Sequence, residues 1–252
     1  MAISLHELVA ATDRLLDSAA FADYCPNGLQ LEASAQVSRI ITGVTACEAL
    51  IDEAIRDGAD ALLVHHGYFW KGESLPLVGV KARRIAKLFR NNISLLAYHL
   101  PLDAHPQLGN NVQLARVLGL QITGNLRDEV RPIGLVGELL QPMRAGEWVA
   151  HVGRCLGRAP LWIGDQQRVI RRVAWCSGAA QSAIEAAALR QVDCFLTGEV
   201  SESTFHLATE LGIGFMAAGH HATERYGIEA LGNHLAKALG ISCRFVDINN
   251  PV

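Results

Sequence analysis

The chain has 252 residues, half of them hydrophobic, and a formal net charge of −3 at pH 7. That length and apolar content suffice for a sizeable core and exclude a disordered chain, while the mild acidity gives no electrostatic case for nucleic-acid binding, which needs a strong basic patch. No uninterrupted apolar run reaches the roughly 18 residues of a membrane span, so the chain is expected in the cytoplasm.

The opening segment MAISLHELVAATDRLLDSAA mixes acidic with apolar residues and has no long uncharged stretch, so it predicts an amphipathic helix and not a secretory leader. RIITGV then predicts a strand, CEALIDEAIRDGA a helix, and ADALLVHH a second strand that runs into His65 and His66. A third strand, ISLLAYH, is ended by Pro101, which leaves Asp103 as an exposed carboxylate on a short, stiff loop. The segment 125–168 carries a strand candidate (GLVGEL) and an amphipathic helix (EWVAHVGRCLG) but no chemical signal. RRVAWC, AIEAAALRQ, VDCFLTGE and IGFMAAGH repeat the strand, helix, strand, strand order, and GHHATERYG opens a last helix. The six cysteines (Cys25, Cys47, Cys155, Cys176, Cys194 and Cys243) form no C-x-x-C pair and are expected to be reduced and structural, not metal ligands.

Laid over itself with a shift of 133 residues, the chain repeats without gaps: Arg39-Ile40 falls on Arg172-Val173, Ile51 on Ile184 and Asp60 on Asp193. A looser match at a shift near 121 relates Leu118-Gly119-Leu120 to Leu239-Gly240-Ile241. The reading is an α/β protein of two pseudo-symmetric halves, a duplicated fold with the metal site between them. Its parts are 1–124 with the N-terminal helix, an intervening 125–168, and 169–252. Sheets of this kind bind ligands at the carboxyl ends of their strands, and the polar residues cluster there: His65-His66, His99 and Asp103, Glu199, His220-His221.

Adjacent histidines on an extended strand point to opposite faces, so both serve one site only if the chain turns, and Gly67 permits a turn. The alternative is that one binds while the other hydrogen-bonds a backbone carbonyl. Asp103 has the alternative role of a turn or helix cap, and His99 and His105 are taken as accessory or surface groups. A helix starting at His220 or His221 places His220 and Glu224 one turn apart on one face, which suits a shared metal. The ligand set His65, His66, Asp103, His220 and Glu224 favours Zn, Mn, Fe or Ni over Ca or Mg. Five donors exceed the need of one tetrahedral ion, and a carboxylate can bridge two ions about 3.5 to 4 Å apart, so two divalent cations are expected. His221 and Glu199 are the candidates for proton transfer, Glu199 with the alternative of orienting a ligand or capping a helix. There is no G-x-S-x-G, no phosphate loop, no G-x-G-x-x-G and no H-E-x-x-H. Tyr68-Phe69-Trp70-Lys71 is the one dense aromatic cluster, read as packing at a pocket wall or subunit contact ahead of base stacking.

Through DYCPNGLQ, ITGVTA, GADALLVHHGYFWKGE, HLPLDAHPQLGNN, LTGEVSE and AAGHHATERYGI the chain resembles, nearly end to end, the YbgI-like family of dinuclear metal proteins. That family is known as GTP cyclohydrolase 1 type 2 homologues and includes relatives of the Ngg-interacting factor. The resemblance implies a two-domain α/β fold and a homohexameric ring with metal sites facing an internal cavity. It carries the ligand role to His65 and His66 of VHHG, Asp103 of PLD, and His220 and Glu224 of GHHATE, with Glu224 bridging.

The leading functional expectation is a dinuclear metal-dependent hydrolase, cyclohydrolase-like in its reach, on a nucleotide or related small molecule. Phosphates would be met by Arg225, Lys71 or the metals. The alternatives are a non-enzymatic metal-binding ring serving as an assembly or regulatory platform, whose cations would be saturated by protein, and a di-metal oxidoreductase. Against the last stands the lack of paired Glu-x-x-His motifs.

Overall fold

The computed structural model describes residues 2–252, a mixed α/β structure of two compact units. One comprises residues 2–109 and Ile228–Asn249, the other Asn110–Gly227 and Asn250–Val252. Among the described residues no helix is long and apolar enough to cross a membrane.

In the first unit β1 (Ile3–Ser4) leads into α1 (Leu5–Leu16), which starts where the Ser4 hydroxyl accepts the Glu7 N–H at 3.1 Å. Leu5, Leu8, Thr12 and Leu16, three to four residues apart, form its buried face. There follow β2 (Gly28–Leu31), β3 (Gln36–Val37), β4 (Arg39–Thr45), α2 (Glu48–Arg56), β5 (Ala61–His66), α3 (Gly79–Arg90), β6 (Ser94–Ala97) and the one-turn helix α4 (Leu100–Ala104). β4, β5 and β6 are parallel. They are covered on both faces: in β5, Leu62 and Val64 join one hydrophobic cluster and Ala61 and Leu63 another, as a period of two requires.

The second unit runs through α5 (Asn110–Leu118), β7 (Leu120–Asn125), β8 (Leu135–Arg144), α6 (Ala145–Leu156), β9 (Leu161–Ile163), β10 (Val169–Trp175), α7 (Ile184–Leu189), β11 (Cys194–Thr197), α8 (Glu202–Glu210) and β12 (Gly214–Ala217). Its six-stranded sheet has the order β7-β8-β10-β11-β12-β9, with β10, β11 and β12 parallel. Helix α9 (His220–Leu239) opens in this unit, and from Ile228 onward it belongs to the first. There Ile228, Leu231 and Leu235 are buried in the core, and β13 (Ser242–Phe245) completes a five-stranded sheet of order β13-β4-β5-β6-β2.

The internal repeat survives at atomic detail. Asp60 Oδ2 accepts the N–H groups of Ser38 (2.7 Å) and Arg39 (2.9 Å), and Asp193 Oδ2 accepts those of Arg171 (2.9 Å) and Arg172 (2.8 Å). The two-unit division departs from the expected 1–124, 125–168 and 169–252. Residues 125–168 are no separate segment, because β8 and β9 hydrogen-bond into the six-stranded sheet. Each α/β run also leads into a helix and strand of the other unit: α5 and β7 follow the first run, and α9 from Ile228 onward with β13 follows the second.

Candidate metal centre

In the first unit, the strand end delivers both expected histidines to one place. His65 is fully buried, its Nδ1 2.9 Å from the Tyr98 carbonyl oxygen. A carbonyl only accepts, so Nδ1 carries the proton and Nε2 presents its lone pair. That Nε2 lies 3.6 Å from Asp103 Oδ1. His66 Nδ1 is 3.2 Å from the Thr45 hydroxyl, and the two imidazole centroids are 4.5 Å apart.

Gly67 follows, but it is not among the glycines with positive φ. Its lack of a side chain serves close approach: a Cβ there would run into Gln30, and would lie 2.6 Å from the Ala97 Cβ. Asp103 corrects the expectation of an exposed loop carboxylate. It is 6 % exposed and sits in α4, because Pro101 occupies the first turn of that helix, where a missing N–H is tolerated.

His99 was expected to be accessory, and the structure brings it into the cluster: a ring nitrogen from each of His65, His66 and His99 falls within 4.8 Å of the others. Its Nδ1 is 2.8 Å from Asp23 Oδ1. Asp23 is a hub that the sequence reading missed. It also accepts the N–H groups of Tyr24 (2.6 Å) and Leu100 (2.9 Å) and the Asn27 amide (2.9 Å). Burial pushes its carboxyl up, but the hydrogen bonds from His99, Asn27 and Leu100 outweigh that and lower it to about 2. Neighbouring Cys25 is pushed up to about 12, first by burial and then by the Asp23 charge. His105 caps a turn, its Nδ1 accepting the Leu108 N–H at 3.0 Å, and burial holds its imidazole below the usual range.

In the second unit, His220 opens α9 between two carboxylates. Its Nδ1 is 2.7 Å from Glu199 Oε1, and its Nε2 is 3.1 Å from Oε2 of Glu224, one turn on. Burial alone would lower the His220 pKa, but Glu224 and then Glu199 raise it, in the metal-free chain, to about 9. Glu199 orients His220 as second-layer carboxylates orient metal-bound imidazoles.

Glu224 is 3 % exposed, and beneath it lies Gly178, with φ of +67°. A Cβ on Gly178 would strike the Glu224 carboxylate and come within 3.2 Å of His220 Nε2. The turn is pinned by Thr223, whose hydroxyl accepts the Gly178 N–H (3.0 Å) and donates to the Gly219 carbonyl (2.9 Å). Nothing in the local sequence marks Gly178, so this contact is a second omission. His221 is buried, and its N–H donates to the Val252 carbonyl at 3.1 Å. Arg225, expected to meet phosphate, instead donates to the Leu156 carbonyl and the Tyr226 hydroxyl, each at 2.9 Å.

Each unit thus offers imidazole donors and a buried carboxylate, the mixed nitrogen and oxygen set that suits divalent transition metals.

The family model Duf34/NIF3 (NGG1p interacting factor 3) matches residues 3–251. A Pseudomonas aeruginosa protein named GTP cyclohydrolase 1 type 2 homolog is 56 % identical over 252 residues, covering 100 % of both chains. An Escherichia coli protein of the same name is 52 % identical over 246 residues, covering 97 % of this chain and 98 % of that one. The solved structure of protein ybgI, described as of unknown function, superposes with a TM-score of 0.96 at 50 % identity over 99 % of this chain and 100 % of that one. The chain belongs to the DUF34/NIF3 family.

Proposed function

We propose that the protein is a dinuclear metal-dependent hydrolase acting on a nucleotide or a related small molecule, with His65, His66, Asp103, His220 and Glu224 holding two divalent transition-metal cations. The observation that carries this reading is a matched pair of fixed imidazoles. Nδ1 of His65 is committed to the Tyr98 carbonyl and Nδ1 of His220 to the Glu199 carboxylate, which leaves Nε2 of each as the ligating atom. Buried Asp103 and Glu224 supply negative charge to offset the cations.

Bound cations would supply Lewis acidity, acidifying water and stabilising charge that develops on an attacked centre. The chain's own groups handle protons and orientation: Glu199 holds the His220 ring, and His221 is assigned to proton transfer. The relatives' name supports a purine nucleotide among the candidate substrates. In a cyclohydrolase-like reaction the attacked atom is the imidazole carbon of a guanine ring. The family resemblance also supports a homohexamer, which sedimentation velocity on the purified protein tests.

The functional test is elemental analysis of protein purified without added metal or an affinity tag, combined with a hydrolysis screen over nucleotides before and after chelation. Two transition-metal ions per chain and a chelator-sensitive activity are expected. Two ions with no turnover on any compound would favour a metal-binding platform, and a metal-free chain that cannot be reloaded would sink the reading.

A further inference from the structure

The aromatic run after the histidine pair divides by burial. Tyr68 is buried and donates its hydroxyl to the Ala46 carbonyl at 2.8 Å, and Phe69 packs on the same hydrophobic cluster. Trp70 instead stands beside the histidines, half-buried, its ring centroid 5.9 Å from that of His66 and 5.0 Å from that of His99. Between the core-facing and histidine-facing residues the backbone is strained: Phe69 has φ of +66°, a region that a bulky L-residue rarely adopts. The indole is fixed as well, its Nε1–H donating to the Gly67 carbonyl at 3.2 Å.

A second aromatic ring is tied to this loop. The Lys71 N–H donates to the Tyr24 carbonyl at 2.6 Å, and the Tyr24 ring, in a residue 63 % exposed, meets His99 edge-on at 6.3 Å. His99 is therefore flanked by an indole and a phenol that both reach solvent, beside the histidines assigned to metal. Neither ring contact of Trp70 is a parallel stack: His66 lies at 55° and His99 at 82°. Trp148 and Trp175, by contrast, are fully buried in the core.

We propose that Trp70, with Tyr24, forms a wall on which a planar heteroaromatic ring, of the class of a purine base, stacks beside the first unit's metal donors. The proposal deepens the hydrolase reading and rests on it. It makes Trp70 a specificity-determining residue: the wall selects a flat, wide π-system, to which a sugar phosphate lacking a base offers nothing. Stacking of a base on an aromatic side chain contributes enough that its removal weakens binding about tenfold or more.

The test is calorimetric titration of guanosine monophosphate and of ribose 5-phosphate into metal-loaded wild type, Trp70→Leu, Trp70→Phe and Tyr24→Leu, with metal content and thermal unfolding read on the same samples. Guanosine monophosphate should bind wild type, and Trp70→Leu should lose about tenfold or more of that affinity while Trp70→Phe recovers most of it. Ribose 5-phosphate should bind all four proteins equally and more weakly. If Trp70→Leu does not fold, Tyr24→Leu carries the same expectation with a smaller loss. A metal-loaded chain that binds no purine, or whose affinity for it ignores residues 70 and 24, overturns the wall and leaves the metal assignment standing. A chain that holds no metal overturns the reading beneath both.

Discussion

Gly178 lies against the carboxylate of Glu224 so closely that even one added methyl group would overlap it. Gly178→Ala should therefore displace Glu224 and crowd His220 Nε2, and its left-handed backbone adds a strain of about 1 to 2 kcal/mol. The expected outcome is a folded protein with a lower melting temperature and less metal than wild type at equal metal concentration, read by elemental analysis after dialysis. Wild-type metal retention would contradict the placement of Glu224 among the ligands.

Glu199 acts on metal through His220. Removing such an outer carboxylate lowers metal affinity about 10- to 100-fold in comparable sites. Glu199→Ala should fall in that range by competition with a chelator of known affinity. Glu199→Gln, whose amide oxygen still accepts the Nδ1 proton, should recover most of the loss. Equal affinities for the two variants would mean that orientation of His220 is not the role.

The double variant His65→Ala with Glu224→Ala removes a fixed imidazole and a buried carboxylate. It should lose most bound metal yet unfold cooperatively, since each truncation also removes a polar group from a buried position. Circular dichroism and metal content check both halves of that statement. Full metal occupancy in the folded variant would refute the assignment.

Asp23 sets an acid limit. Its carboxyl, lowered from 3.8 to about 2 in the folded chain, stabilises the fold above the unfolded-state value and loses that contribution as pH falls through the folded one. Asp23→Asn should cost on the order of 2 kcal/mol near neutrality. The gap between mutant and wild-type unfolding free energies should be constant from pH 7 to about 5 and narrow as pH falls from about 4 toward 2. A gap that stays constant down to pH 3 would show that the carboxylate charge is not what holds the His99 loop.

Much of the site was legible because its signals are local. Apolar runs that stop at His65-His66 and Glu199 mark strand ends, and the His220 to Glu224 spacing needs only the helical period. Asp60 and Asp193 could be paired by a shift in the sequence alone, and their matching hydrogen bonds explain why both copies have an aspartate there. Asp103 was misjudged because Pro101 ends strands and starts helices alike, and only the buried Leu102 beside it decides for the interior. Asp23 and Gly178 were invisible for another reason. Asp23 meets His99 across 76 residues and Gly178 meets Thr223 across 45, and no local pattern records such encounters. The unit boundaries failed for the same cause, since a repeat shows which segments are alike but not which sheet each one joins.

The return of α9 and β13 to the first unit has a bearing on how the chain is made. Ser242 to Phe245 pair with Arg39 to Thr42, and Thr42 touches Cys243 across 201 residues, so the earliest-synthesised sheet lacks an edge until that whole stretch has been made. During translation β4 would wait with an open flank and an uncovered apolar face, the kind of non-local pairing that slows folding and invites misassociation. The second unit, save for its last three residues, is drawn from one continuous stretch and has no such delay. The later-made unit should thus be built while the first-made one is still closing.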